Sequence, residues 1–124
     1  MSDQPTPGSI TWRDLTVSNA EEVAEFYAAV AGWKIEPTPM GEYDDYSMMN
    51  ANGECVAGVC HARGPNAGLP PQWLNYITVE DVEASAATVV ARGGEILEGP
   101  RSVGDGTVCV IKDPAGAVAA LYAE

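Results

Sequence analysis

The chain carries few side chains that could act as nucleophiles, bases or metal ligands. It has one histidine, His61, and three cysteines, Cys55, Cys60 and Cys109. With a single imidazole, no two-histidine metal site can form within one chain, and nothing in the sequence places His61 beside a nucleophile. Cys55 and Cys60 are five residues apart, so on an unbroken strand they point to opposite faces and cannot share an ion.

One carboxylate is in an unusual position. Asp14 falls inside the apolar run Ile10–Val17, which is typical of a strand. It either anchors a cationic or hydroxylated ligand, or acts as a general base, or is a water-facing or locally hydrogen-bonded side chain. The segment 41–46 alternates carboxylates with tyrosines. This segment either attracts a cation or is an ordinary solvated loop.

The elements that would position these residues follow from hydrophobic spacing. Val23, Phe26, Tyr27 and Val30 lie at i, i+3, i+4 and i+7, which predicts a helix that stops at Gly32. Ser18 and Glu21 could form a capping box at its start, and 37–39 is predicted to be a turn. A second helix is predicted from an Asp81 cap to Arg92. Strands are predicted at 10–17, 33–36, 43–49, 54–61, 73–79, 95–98, 108–112 and 118–122.

The second half of the chain repeats the first. Thr16-Val17 reappears as Thr78-Val79, Gly32 as Gly94, and Ile35-Glu36 as Leu97-Glu98, each 62 residues later. A shared offset across a strand, a helix stop and a second strand indicates a structural repeat.

The repeat predicts the organisation of the chain. We expect a flexible N-terminal tail at 1–8, a first unit at 9–62, a Pro- and Gly-rich connector at 63–71 and a second unit at 72–124. With 124 residues, the two units would form a single domain. The predicted fold class is α+β: two tandem βαβββ units form curved mixed sheets around a cleft, with the helices on the outer face.

These motifs resemble the vicinal oxygen chelate superfamily, also called the glyoxalase/bleomycin-resistance/dioxygenase superfamily. The resemblance covers nearly the whole chain. It rests on the segments 14–19, 25–27, 32–33, 77–81, 93–94 and 112–116, of which the Phe26-Tyr27…Gly32-Trp33 helix end and the Asp113-Pro-Ala-Gly116 hairpin are the most recognisable. The fold of this superfamily hosts isomerases, dioxygenases, epimerases, thiol transferases and non-catalytic drug binders.

The resemblance also implies where a metal would bind. Metal-dependent members use His, Gln or Glu at four positions, on the first and last strands of each unit. Carried over, these positions fall on Trp12, Leu74 and Ala120, and on Gly58 or Ala57. None of these side chains binds a metal ion, so we expect no metal and no cofactor.

Strand alternation predicts which side chains line the cleft. Taking Trp12 as cleft-facing, we expect ligand-binding roles for Trp12, Asp14, Tyr76 and Tyr122. Trp12 is then either a stacking platform or core filler in the space that the metal ligands leave.

Charge and composition limit the partners. Eighteen acidic residues against six basic ones give a net charge of −12, which disfavours nucleic acid and anionic membranes. The acidity would attract a cationic small molecule, or it serves only solubility. An odd cysteine count and the lack of a long apolar run favour a cytoplasmic protein.

The leading functional hypothesis is a metal-free, glyoxalase-like protein that binds a small molecule and forms a homodimer, as the resemblance implies. One alternative is a lyase, isomerase or dioxygenase, metal-dependent or not, with a non-standard site that uses Asp14, Tyr76, Tyr122 or His61. Others are sequestration of a cationic antibiotic, as in bleomycin-resistance proteins, and an interaction module with a filled cleft.

Overall fold

A computed structural model describes residues 5–64 and 67–124. The first four residues of the predicted tail and residues 65–66 of the predicted connector lie outside this description. The elements are β1 (Ile10–Val17), α1 (Ala20–Ala31), β2 (Lys34–Pro39), β3 (Asp44–Met49), β4 (Cys55–His61), β5 (Trp73–Thr78), α2 (Val82–Ala91), β6 (Glu95–Val103), β7 (Gly106–Lys112) and β8 (Val118–Ala123).

The chain divides into two compact units. Among the described residues, one comprises 13–64 and 67–73 and contains α1; the other comprises 5–12 and 74–124 and contains α2. We call them the α1 unit and the α2 unit. Each combines one helix with a mixed sheet, which confirms the predicted α+β class. The predicted bounds of tail, repeats and connector stay predictions.

The α1 unit packs its helix on the sheet ordered β2-β3-β4-β1. β1 and β4 run parallel, whereas the other neighbours are antiparallel. Small residues on α1, Ala20 and Ala24, allow close approach to Met48, Ala57 and Val59 on the strands below. Met48 and Val59 are fully buried, and each stabilises the unit by about 1.5–3 kcal/mol through burial alone.

An aromatic cluster covers one end of this core. Trp73 contacts Tyr27 and Trp33 edge to face, with ring centroids 5.2 and 5.8 Å apart. Its indole Nε1 donates a hydrogen bond of 3.1 Å to Tyr27 Oη. Of the predicted helix face, Val23 and Tyr27 pack against this core, whereas Phe26 and Val30 are 58% and 66% exposed, so that half of the prediction was wrong.

The α2 unit repeats this arrangement. Its strands are ordered β5-β8-β7-β6, with β5 and β8 parallel. Val82 and Ala86 of α2 pack on the fully buried Cys109, with partly buried neighbours around them. The predicted Asp81 cap is confirmed, because its carboxylate accepts a 3.1 Å hydrogen bond from Ala84 N.

Three local predictions were wrong. Residue Asn19, not Ser18, is the N-cap of α1, and no side-chain cap hydrogen bond forms there. Pro37 and Pro39 belong to β2 rather than to a turn. β6 continues past Glu98 to Val103.

In the described part of the chain, no helix has the length and apolar character that a membrane crossing requires.

Candidate functional site

The strand register fixes how the two units correspond. Asp14 lies opposite Gly58 in the β1–β4 pair, and Tyr76 lies opposite Ala120 in the β5–β8 pair. The second pair follows the first by 62 residues, 76 against 14 and 120 against 58. Gly58, not Ala57, is therefore the repeat counterpart of Ala120.

This correspondence allows a direct test of the metal site that the superfamily implies. By the resemblance, its four positions fall on Trp12, Gly58, Leu74 and Ala120, whose side chains are an indole, a hydrogen atom and two aliphatic groups. None of them offers an oxygen, imidazole or thiolate ligand. Within residues 5–64 and 67–124, no three His, Cys, Asp or Glu side chains form a group that could hold a metal ion. The residues present do not fit the superfamily's metal, and we assign no step to one.

Three of the four predicted ligand-binding residues belong to the α2 unit. Tyr76 pairs with Ala120, and Tyr122 pairs with Thr78 on the neighbouring strand, so the two tyrosines lie one step apart on one face. Trp12 is half-buried. Its neighbour Thr11 is attached to β5 by a contact of 2.7 Å between Thr11 Oγ1 and Thr78 Oγ1.

The fourth residue, Asp14, lies in the α1 unit among polar groups that the sequence did not bring together. The negative charge of Asp14 and that of Asp45 on β3 both raise the pKa of the Cys60 thiol. Asp45 Oδ1 also accepts a 2.9 Å hydrogen bond from the backbone N of His61, and lies 3.4 Å from His61 Nδ1. We call Asp14, Asp45, Cys60 and His61 the β4 polar cluster.

The electrostatics of this cluster suppress the reactivity of its thiol. Burial first, then the charges of Asp14 and Asp45 and a hydrogen bond to Asp45, raise the pKa of Cys60 to about 12. The thiolate is the nucleophilic form of cysteine. Cys60 is thus a poor nucleophile at neutral pH, and the cluster gives no support to a Cys–His mechanism.

Tyr122 borders a small cavity in the α2 unit. The cavity has a volume of about 210 Å³ and is lined by Pro5, Pro7, Thr78, Val79, Tyr122, Ala123 and Glu124. Burial, the charge of Glu124, a hydrogen bond to it and the charge of Asp105 all raise the pKa of Tyr122. At neutral pH the phenol is therefore a hydrogen-bond donor within an acidic surrounding.

Sequence reasoning missed a second carboxylate, Glu98 on β6. It is paired with Arg101 and is 16% exposed. The only sequence signal near Glu98 was the Gly99-Pro100 dipeptide. Such a dipeptide is typical of the end of a strand, but here β6 continues through it with a shift in its register to β7. Sequence reasoning also did not single out Asp45, although it lies within the predicted strand 43–49, because the carboxylates of the segment 41–46 were considered only as a group.

Comparison with known proteins agrees with this architecture. Over 118 residues the chain is 36% identical to a Mycobacterium tuberculosis protein named "Putative glyoxylase CFP32", covering 93% of this chain and 45% of that protein. Over 129 residues it is 30% identical to the anthracycline biosynthesis protein DnrV of Streptomyces peucetius, covering 94% and 47%. The chain thus spans about half the length of these curated relatives.

Solved structures share the fold at low sequence identity. A methylmalonyl-CoA epimerase from Streptomyces coelicolor matches with a TM-score of 0.57 and 17% identity, over 96% of this chain and 99% of that one. A superfamily member from Vibrio splendidus matches with a TM-score of 0.58 and 13% identity, over 91% and 97%.

A sequence model of the glyoxalase/bleomycin resistance protein/dioxygenase superfamily matches residues 9–121. The repeat, the mixed strands of each unit and this match lead to one conclusion: the chain belongs to that superfamily.

Proposed function

We propose that this chain is a glyoxalase-like protein that binds a small molecule without a metal ion. One observation supports the proposal: the four positions to which the resemblance carries the superfamily's metal ligands hold side chains without a ligating atom, namely Trp12, Gly58, Leu74 and Ala120. Polarisation of vicinal oxygens by a metal therefore has no support in this chain. What the chain keeps is the fold and a set of aromatic and acidic side chains.

The ligand contacts that we propose are Trp12, Asp14, Tyr76 and Tyr122. The aromatic members supply area for stacking, and the tyrosine hydroxyls and the carboxylate supply polar contacts. Cysteines Cys55, Cys60 and Cys109 are free thiols, which fits a reducing compartment. We expect a cytoplasmic homodimer.

Metal content and ligand binding test the proposal together. We expect native protein to contain no stoichiometric Zn, Ni, Mn or Fe by mass spectrometry. A small-molecule library screened by tryptophan fluorescence should give hits whose affinity is unchanged after EDTA treatment. Stoichiometric tight metal in native protein, or binding that EDTA abolishes and one metal restores, would overturn it.

A second candidate is sequestration of a cationic antibiotic. The net charge of −12 favours it, and so do two relatives that are named for anthracycline biosynthesis. Daunorubicin, a fluorescent cationic anthracycline, is the probe. Sequestration predicts binding that weakens as salt screens the charge. Binding that is absent, or that does not respond to salt, would reject this candidate.

A further inference from the structure

The chain before β1 folds back on the α2 unit through a tight turn. The turn is formed by Thr6, Pro7, Gly8 and Ser9, and Ser9 N donates a 3.1 Å hydrogen bond to Thr6 O. Gly8 has a φ of +92°, and a glycine with positive φ directly after a proline is typical of a type II turn. The Pro-Gly pair therefore determines the path of residues 5–9, which we call the N-terminal arm.

The N-terminal arm is attached to the end of β5. Gly8 N donates a 2.7 Å hydrogen bond to Thr78 O, and Thr78 N donates a 2.9 Å hydrogen bond to Ser9 O. Two hydrogen bonds to one strand residue thus hold the arm on the α2 unit. As a result, Pro5 and Pro7 form part of the wall of the small cavity in this unit.

This cavity has room for a small ligand and can be reached from solvent. Pro5, Pro7 and Glu124 in its lining are exposed, and Tyr122 is half-buried. Its volume of about 210 Å³ corresponds to about seven water molecules and is below the roughly 300–1,000 Å³ of sites for drug-sized ligands. The space therefore suits a ligand of about seven non-hydrogen atoms.

The ring of Tyr122 is positioned by a glycine on the neighbouring strand. Gly106 is buried, and a Cβ there would lie 2.7 Å from Tyr122 Cε1. Because Gly106 has no side chain, the ring can lie against β7. The phenol hydroxyl of Tyr122 donates a hydrogen bond to the carboxylate of Glu124, two residues further along the chain. One wall of the cavity is therefore an aromatic ring joined to a carboxylate.

The charges at the cavity have one sign. Burial, then the charge of Glu124, a hydrogen bond to it and the charge of Asp105 raise the pKa of Tyr122. The cavity lining, as far as the described residues form it, contains no Lys, Arg or His. The whole chain has a net charge of −12. The cavity therefore attracts cations and repels anions.

The lining fits an organic cation better than a metal ion. Ca²⁺ takes about six to eight oxygen ligands, whereas the side chains here supply one carboxylate, one phenol and one threonine hydroxyl. That hydroxyl, Thr78 Oγ1, already contacts Thr11 Oγ1. The other residues of the lining offer mainly carbon atoms: Pro5, Pro7, Val79 and Ala123. Carbon walls with one ring and one carboxylate match methyl groups around a positive nitrogen.

We infer that this cavity binds a small organic cation of the alkylammonium class, with Glu124 as its charge partner and the ring of Tyr122 as its packing surface. The inference rests on the proposed small-molecule binding, in which Tyr122 is one contact, and names the class of ligand at that contact. The cavity is too small for an anthracycline, so the inference is separate from sequestration of an antibiotic.

Two probes of the same shape isolate the effect of charge. They are choline and 3,3-dimethylbutan-1-ol, in which a carbon atom replaces the quaternary nitrogen. We expect wild-type protein to bind choline about tenfold more tightly than the alcohol, because only choline is attracted by the carboxylate and the ring face. Titration followed through the NMR signals of the tyrosine rings measures both affinities. Choline binding should weaken as NaCl rises from about 0.05 to about 0.5 M.

Variants locate the binding. Glu124→Gln should reduce the preference for choline to about twofold or less and leave binding of the alcohol unchanged. Glu36→Gln is the matched control: it makes the same change in net charge at an exposed residue of the α1 unit and should keep the preference. Tyr122→Phe retains the ring and should retain choline binding, whereas Tyr122→Leu should weaken it about fivefold.

The outcomes separate this inference from the proposed function. Equal affinity for choline and the alcohol overturns the inference, and so does a preference that survives in Glu124→Gln or that Glu36→Gln removes as well. If wild type binds neither probe, the inference fails, whereas hits from the library screen would still support the proposed function. A choline preference that depends on Glu124, in protein that contains a stoichiometric metal, would support the cavity and overturn the metal-free function.

Discussion

Cys60 and Cys55 are two thiols on one strand with different surroundings. Cys55 is exposed, whereas Cys60 lies near the carboxylates of Asp14 and Asp45 and has a pKa of about 12. Alkylation requires the thiolate, whose fraction falls tenfold for each unit by which pH lies below the pKa. The environment of each residue, not the residue type, sets its chemistry.

We predict that iodoacetamide modifies Cys55 well before Cys60 at pH about 8. The rate at Cys60 should continue to rise with pH up to about 12. Asp45→Asn should accelerate modification of Cys60, because it removes a negative charge and a strong hydrogen-bond acceptor. Peptide mass spectrometry of folded protein measures both sites at once. Equal rates at Cys55 and Cys60 in wild type would contradict the prediction.

At the scale of elements, the two helices begin differently. The Asp81 carboxylate caps α2 through Ala84 N, whereas Asn19 makes no cap hydrogen bond to α1. We predict that Asp81→Ala lowers the free energy of unfolding by about 1 kcal/mol. Asn19→Ala serves as the matched control and should cost much less. Urea unfolding measures both, and equal losses would show that the cap hydrogen bond is not the cause.

A glycine at the end of α2 tests how closely this helix approaches its sheet. A Cβ at Gly94 would lie 2.7 Å from the carbonyl oxygen of Lys112 and 2.8 Å from Val89 Cγ1. We predict that Gly94→Ala destabilises the protein by about 1–3 kcal/mol through overpacking. Gly68→Ala is the control, since no heavy atom lies within 4 Å of its added Cβ. Thermal unfolding compares them, and a neutral Gly94→Ala would mean that α2 can shift.

Hydrophobic spacing was sufficient to predict both helices, the eight strands along the chain and the 62-residue offset that the register shows. It failed where tertiary position overrides local preference. Pro37 and Pro39 read as a turn, but β2 is at an edge of its sheet, where a missing N–H need not interrupt a ladder. β6 is also an edge strand, and it absorbs Gly99-Pro100 as a bulge.

The candidate site was predictable to the same extent. With Trp12 taken as cleft-facing, strand alternation proposes Asp14, Tyr76 and Tyr122, since it needs only the period of a strand, and their ligand contacts stay predictions. Glu98 could not be selected, because its face depends on a bulge that alternation does not anticipate. Asp45 could not be selected either, since its contact with His61 joins residues 16 apart.

At the scale of the whole molecule, the dominant property is unbalanced charge. The chain has 18 acidic and 6 basic residues. Among the described residues, Arg101 forms an ion pair with Glu98, and His61 Nδ1 lies 3.4 Å from Asp45 Oδ1. Such pairs offset only a small part of the acidity. The folded state concentrates the remaining charge, so repulsion between carboxylates destabilises it relative to the extended chain.

We therefore predict that sodium chloride raises the thermal midpoint. The screening length falls from about 30 Å at about 0.01 M to about 10 Å at about 0.1 M, so most of the gain should come within this range. Near the isoelectric pH the net repulsion is absent, and the same titration should leave the midpoint nearly constant. Calorimetry at both pH values tests this. A midpoint that does not respond to salt at neutral pH would mean that local contacts, rather than net charge, govern the electrostatic part of stability.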